Sequence, residues 1–154
     1  MHTINISTRE GMEDILSRAN VCYVGITDLE GNPYVIPMNF GYRNGIMYLH
    51  SGSDGSAIDM LKHNNNVCIT ISVGEELVYQ DIQVGCSYRM KSKSVICRGK
   101  VTFLTDITEK RNVLNIIMRH YTDYPTKYSD TAVRNVCIWE VPIDSMTARE
   151  YAAP

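Results

Sequence analysis

The segment from Gly31 to Val73 constrains the fold most, because it alternates short apolar runs with turn signals. Asn44-Gly45 separates two of these runs, and both residue types accept the positive φ angles that a two-residue hairpin requires. Hairpins join antiparallel neighbours, so this segment predicts an antiparallel sheet. The predicted elements are strands at Tyr34–Tyr42, Ile46–His50 and Val67–Val73, with a short helix from Ser53 or Asp54 to about Lys62.

The flanking sequence adds further strands and two more helices. Ser7 and Glu10 have the spacing of a capping box, which predicts a helix over Thr8–Arg18. Thr105 or Asp106 is expected to cap another helix that reaches Tyr121. The remaining strands are predicted at Val21–Thr27, Ser92–Leu104 (with a bulge or close backbone approach at Gly99), Val133–Val141 and Ser145–Tyr151. Within residues 74–88, Leu77–Val84 fits either irregular strand or loop, and residues 122–130 are expected to form a polar loop.

This pattern predicts a single domain over residues 1–154. About six or seven strands and about three helices do not alternate as βαβ units. We therefore expect a mainly β (α+β) fold, a closed or split antiparallel barrel with peripheral helices.

Charge and cysteine usage exclude several classes of protein. The formal net charge of −2 gives no basic excess, so nucleic acid is not an expected partner. No apolar run approaches the ~20 residues of a membrane helix, and the first residues do not resemble a signal peptide, so a cytoplasmic location is expected. The five cysteines contain no CxxC pair, which argues against a disulfide framework or a zinc site. Only Cys86 is expected to be exposed.

The loop His50–Ser56 (HSGSDGS) is the strongest candidate for a ligand site. Small residues there allow backbone N–H groups to approach a ligand, and a helix N-terminus behind them favours an anion such as phosphate. An ordinary turn is the alternative. His50 could be a catalytic base or a satisfied polar residue, and no second metal ligand has suitable spacing, so no metal is expected.

Three other polar features have both a functional and a structural interpretation. Asn39 follows an apolar run that contains Pro37, and an edge strand there could hydrogen-bond a planar ring; a solvent-facing amide is equally consistent. Lys93 and Ser94 could place a cation and a hydroxyl near a phosphate or ring carbonyl, or simply be solvated. His120 suits the end of a helix, which favours a structural role.

Five segments together resemble the pyridoxamine 5′-phosphate oxidase-related flavoproteins, and most closely the nitroimidazole-resistance branch. They are GNPYVIPMNFGYRNGIMYLHS, GSAIDMLKHNNNVCITI, SVICRGKVTFL, RHY and IDSMTARE, and the resemblance covers about Ala19 to Glu150. The resemblance implies a split β-barrel and a homodimer with FMN at the subunit interface. It also implies an FMN-dependent oxidoreductase that reduces a small, nitroaromatic substrate. FAD is the alternative cofactor, and a flavin-binding protein without a substrate or a haem-binding relative are the alternative functions.

The resemblance also implies roles for individual residues. His50 would lie near the flavin ring and donate a proton or hydrogen bond to the substrate. The implied cofactor-binding residues are Val35, Ile36, Pro37, Met38 and Asn39 along the ring, Leu49, His50 and Ser51 at the ring and ribityl chain, Gly55 and Ser56 at the phosphate, and Ser94, with Lys93 beside it.

One position departs from the family pattern. Relatives carry Arg or Lys at or just after Ser56, where this chain has Ser56-Ala57. Loss of a cation opposite a phosphate removes hydrogen bonds worth ~1.5–3 kcal/mol each. Lys62, Lys93 or a residue of a second subunit would have to compensate; otherwise FMN binds more weakly or the ligand differs. The substrate-binding residues of true pyridoxamine-phosphate oxidases are not recognisable in residues 143–154, so that activity is not expected.

Overall fold

Nine antiparallel strands form one continuous but unclosed sheet in the computed structural model, which describes all residues from 1 to 154. The strands are β1 (His2–Ile6), β2 (Cys22–Thr27), β3 (Pro33–Met38), β4 (Gly41–Arg43), β5 (Ile46–Gly52), β6 (Asn66–Val78), β7 (Arg89–Lys100), β8 (Thr102–Leu104) and β9 (Val136–Ala153). The helices are α1 (Arg9–Arg18), α2 (Ser56–His63), α3 (Ile107–Tyr121) and α4 (Asp130–Asn135). The predicted α+β split barrel is confirmed, with more strands than the expected six or seven.

The long strand β9 holds the two halves of the barrel together. The strand order is β3-β2-β6-β7-β9-β5-β4, and β1 and β8 also pair with β9. The first half of β9 pairs with β5 and β8, and the second half with β7 and β1. The β7–β9 register shifts between Arg98 and Gly99, where a Cβ on Gly99 would lie 2.4 Å from the Pro142 carbonyl oxygen. Gly99 therefore marks the predicted bulge and close backbone approach.

The core lies inside the barrel and is closed at one end by α1. Ile15 and Leu16 of α1 are buried in the same cluster as Trp139 of β9. A smaller cluster packs Val113 and Ile117 of α3 against the outer side of β9. Burying these apolar side chains supplies the main driving force for the fold. No helix in the structure combines the length and the apolar character needed to cross a membrane.

Three predicted strands have different limits in the structure. The strand predicted at Tyr34–Tyr42 is divided into β3 and β4, because the Phe40 N–H bonds to the Tyr121 hydroxyl and leaves the ladder. The strand predicted over Ser92–Leu104 is likewise divided into β7 and β8, since the Val101 N–H donates to Asn65. Residues 133–135 belong to α4, so the closing strand starts at 136 and continues without a break to 153.

Of the predicted helix caps, the one at Asp106 is confirmed and those of α1 and α2 are wrong; the predicted exposure of Cys86 is confirmed. Asp106 caps α3 as predicted, with its carboxylate accepting from the Glu109 N–H at 3.0 Å. Thr8, and not Ser7, caps α1. Neither Ser53 nor Asp54 caps α2, whose first helical residue is 56.

Cys86 is exposed as expected, while Cys22 and Cys97 are buried and Cys68 and Cys137 are half-buried.

Candidate functional site

The two ends of the open sheet carry most of the predicted ligand residues. Strand β3 pairs only with β2, so its other edge offers unpaired backbone groups. Residues 49–52 of β5 run past the short β4 and pair only with β9. The sheet remains open between these ends, and free backbone N–H and C=O groups at such an opening can bind a polar ligand.

The side chains of β3 alternate between the surface and the core. Val35 is 61% exposed and Pro37 is exposed, while Ile36 and Met38 are half-buried against the core cluster. Pro37 lacks an N–H, which suits the edge position that the sequence predicted. A flat ligand over this edge would therefore meet apolar side chains and main-chain oxygens.

Asn39 lies just beyond β3 and is held by two other segments. Its Nδ2 donates to the Asn20 carbonyl and to the Tyr121 hydroxyl, both at 3.4 Å. The Tyr121 hydroxyl also donates to the Asn20 carbonyl at 2.8 Å and accepts from the Phe40 N–H at 3.0 Å. His120 bonds to the Ala19 carbonyl. The end of α3 thus fixes the residue that follows the edge strand.

The end of β5 combines buried and exposed side chains. Leu49 is fully buried in the core, so only its backbone is available to a ligand. His50 is exposed on the strand, and burial of part of the imidazole lowers its pKa below the usual 6.5. The Ser51 hydroxyl accepts from Trp139 Nε1 at 3.0 Å and donates to the Gly52 carbonyl at 2.9 Å. Ser51 therefore has little remaining capacity to bond a ligand.

Trp139 was not among the residues that the sequence singled out. It is the single tryptophan of the chain, it is fully buried, and its N–H needs an acceptor. That requirement is the signal that could have linked it to a polar residue such as Ser51.

The start of α2 is an open cradle. Gly55 has φ +130°, a conformation reserved for glycine, and a Cβ there would meet no atom within 4 Å. No side chain caps this helix, so its first N–H groups and its dipole are available to bind an anion. Ser56 is exposed at this end. Lys62 follows six residues later, about 9 Å along the helix axis, and does not replace the missing cation at the N-terminus.

Lys93 and Ser94 occupy another part of the surface. They lie on β7, which is three strands from β3 and thus about 14 Å away across the sheet. Ser94 faces outward opposite Ser72 and Arg149, and Lys93 pairs with Val73 and Glu150. The predicted residues therefore form two separate groups within one chain.

A cavity of about 560 Å³ lies with the second group and not at the α2 cradle. It is a groove between α1, β1, β7 and β9 that includes Ser94 and Arg149. No group of three or more His, Cys, Asp or Glu side chains is placed to hold a metal ion.

Comparison with known proteins assigns the family. The family model described as pyridoxamine 5′-phosphate oxidase matches residues 8–150. The chain belongs to this family. The fold and 57% of aligned residues are shared with a proposed 5-nitroimidazole antibiotic resistance protein from Bacteroides thetaiotaomicron VPI-5482, with TM-score 0.89 over 97% of this chain and 88% of that one. The resemblance to the nitroimidazole-resistance branch is therefore confirmed.

More distant relatives share the barrel alone. The flavocytochrome Anf3 from Azotobacter vinelandii is 19% identical with TM-score 0.84, and the match covers 97% of this chain and 70% of that one. The FAD and haem binding protein from Mycobacterium smegmatis is 13% identical with TM-score 0.86, over 97% and 74%. No curated protein sequence matches the chain.

Proposed function

We propose that this protein is an FMN-dependent oxidoreductase that reduces a small nitroaromatic substrate and works as a homodimer with the cofactor at the subunit interface. The observation that carries the proposal is the open cradle at Gly55, at the start of an uncapped helix that follows the unpaired end of β5. Membership of the pyridoxamine 5′-phosphate oxidase family supports the same function, as does 57% identity to a proposed nitroimidazole resistance protein.

The cradle fits the phosphate of FMN. The free N–H groups at the start of α2 would donate to the phosphate oxygens, and the helix dipole would favour the negative charge. The φ angle of Gly55 and the empty space beside it allow the backbone to approach closely. With Ser56 in place of a cation, this binding depends on main-chain donors, or on a cation from the second subunit.

The edge of β3 suits the flavin ring. Residues 35–38 would contact the ring through the exposed side chains of Val35 and Pro37 and through unpaired backbone groups. Asn39 would add its amide oxygen, since its nitrogen is already bonded to neighbouring segments. The bound flavin would supply the electron-carrying chemistry, and the protein would hold and orient it.

His50 is the candidate proton donor. Its lowered pKa keeps the imidazole neutral at pH 7, so one ring nitrogen donates while the other accepts. The first reduction step of a nitro group, to nitroso, takes two electrons and two protons and releases water. Reduced nicotinamide would supply the electron pair as hydride. His50 would relay the second proton to the departing oxygen, releasing its N–H proton while its other ring nitrogen takes one from water.

The uncovered face of the sheet supports the proposed homodimer. Tyr23, Val35 and Ile96 lie on one face by strand register and are 48%, 61% and 40% exposed. Exposed apolar side chains grouped on one sheet face are typical of an interaction surface. A second copy covering it would bury more than about 2,000 Å², as obligate dimers do. It would also bring the Lys93–Ser94 group of one chain towards the β3 edge of the other.

Nitroreduction by the His50→Ala variant tests the catalytic part. We expect the variant to fold and keep flavin but to reduce a nitroaromatic more slowly per bound flavin, with reduced nicotinamide as the donor. If His50 only satisfies nearby backbone groups, the variant will lose about 1–3 kcal/mol of stability at an unchanged normalised rate. That result would remove His50 from the mechanism. A flavin-loaded wild type that reduces no nitroaromatic would favour a flavin-binding protein without this substrate.

A further inference from the structure

The groove between β1, β7 and β9 has the size and lining of a small-molecule site. Its volume of about 560 Å³ falls within the range of ~300–1,000 Å³ typical of ligand pockets. Met12 of α1, Ile96 of β7 and Met146 of β9 contribute apolar side chains, and Ser94 and Thr147 contribute hydroxyls. An apolar pocket with a few polar groups is suited to an aromatic molecule with one polar end.

Arg149 gives this groove its charge. Strand register places Arg149 between Asn5 of β1 and Ser94 of β7, on the outward face of the sheet. It is exposed, it forms no ion pair or hydrogen bond within the chain, and it is the one charged residue that lines the groove. A guanidinium left free beside apolar side chains is complementary to a planar anion, which it can bind through two parallel hydrogen bonds.

We propose that this groove binds the substrate, and that the substrate is a small aromatic acid whose anionic group pairs with Arg149. The inference rests on the proposed function, since it names the substrate class of the same oxidoreductase. Ser94 lines the groove, and in the proposed homodimer it would lie towards the β3 edge of the second copy. A ligand held by Arg149 would extend its ring across Ile96 and Met146. Because Ile96 lies on the face that the second copy would cover, this ligand would be enclosed between the two subunits.

Paired nitroaromatic probes test the charge preference directly. Calorimetry on the purified wild-type protein compares 4-nitrobenzoate with 4-nitrobenzyl alcohol, which has a similar ring and no charge. We expect the carboxylate to bind about tenfold more tightly than the alcohol, and the Arg149→Gln variant to lose this preference. Arg149→Lys keeps a positive charge and should keep part of the preference. Arg43→Gln is the matched control, because Arg43 is exposed on β4 outside the groove.

The same variants separate the two proposals by turnover. Arg149→Gln should raise the KM for 4-nitrobenzoate and leave the KM for the alcohol unchanged. Equal binding of the two probes by the wild type, or an unchanged carboxylate preference in Arg149→Gln, would overturn the groove proposal. Arg149-dependent binding of nitrobenzoate without any reduction would uphold the groove and contradict the oxidoreductase. Reduction of both probes without dependence on Arg149 would uphold the oxidoreductase and contradict the groove.

Discussion

Replacing Tyr121 by phenylalanine should measurably loosen the segment that follows the proposed cofactor strand. The Tyr121 hydroxyl joins the Asn20 carbonyl at 2.8 Å and the Phe40 N–H at 3.0 Å, with a longer contact to Asn39. Tyr121→Phe removes these bonds and preserves the ring. The Phe40 N–H is then left without its acceptor in a partly buried position.

The magnitude follows from the two short hydrogen bonds. Each contributes about 0.5–1.5 kcal/mol, so their loss would cost about 1–3 kcal/mol. Tyr121 is 36% exposed, and water can replace part of the bonding, so we expect about 1–2 kcal/mol. In a domain of this length, that corresponds to a fall of about 2–8 °C in melting temperature.

Urea denaturation at one protein concentration and with excess FMN measures the effect, because dimerisation and ligand binding both change apparent stability. Tyr124→Phe is the control, since Tyr124 is 80% exposed and its hydroxyl has no partner. That variant should remain within ±0.5 kcal/mol of wild type. Equal stability of the two variants would refute the role assigned to the Tyr121 hydroxyl.

Four further outcomes are expected. Ser56→Arg should tighten FMN binding about tenfold per ~1.4 kcal/mol gained, and unchanged affinity in a fluorescence titration would mean that another group already supplies the charge. Gly41→Ala should destabilise by about 1–3 kcal/mol in urea denaturation, because the new Cβ would lie 2.9 Å from the α3 backbone, whereas Gly85→Ala, with open space, should not. Iodoacetamide at pH 8 should modify exposed Cys86 and spare Cys22 and Cys97, because burial raises the pKa of both thiols to about 12. Peptide mass spectrometry checks this, and modification of Cys22 or Cys97 before Cys86 would contradict it. The lowered pKa of His50 means that the unfolded state binds more protons below pH 6.5, so wild-type stability should fall more than that of His50→Gln between pH 7 and pH 5, and parallel denaturation curves would contradict this.

Local sequence signals predicted the features that depend on local chemistry. Asn44 and Gly45 do adopt φ angles of 50° and 82°, as the hairpin requires. Asp106 caps its helix, and Gly99 lies where the backbone of β9 approaches. In each case a residue's own conformational freedom or side-chain acceptor determines the outcome.

Features that depend on distant partners were predicted less well. Strand β1 was not predicted: Ile4 and Ile6 alternate with polar residues over only five mostly exposed positions, and pairing with residues near 150 completes the strand. The break between β3 and β4 depends on the Tyr121 hydroxyl, 81 residues away from Phe40. Tertiary partners of this kind override local β propensity.

The candidate site shows the same division. The strand-to-helix loop at His50–Ser56 was identifiable because its elements are adjacent in sequence. The distance of Ser94 from that loop, and its position beside Arg149, follow only from the register of β7 with β9. The separation of the predicted residues into two groups could not be inferred without the sheet order.

Identification of the cofactor tests the central claim most directly. The protein would be purified without added ligand, its absorbance spectrum recorded, and the released small molecule identified by mass spectrometry. The account predicts a flavin spectrum and about one FMN per chain, because the α2 cradle fits a single phosphate. A Soret band with haem released, or no bound flavin even after incubation with excess FMN, would contradict it.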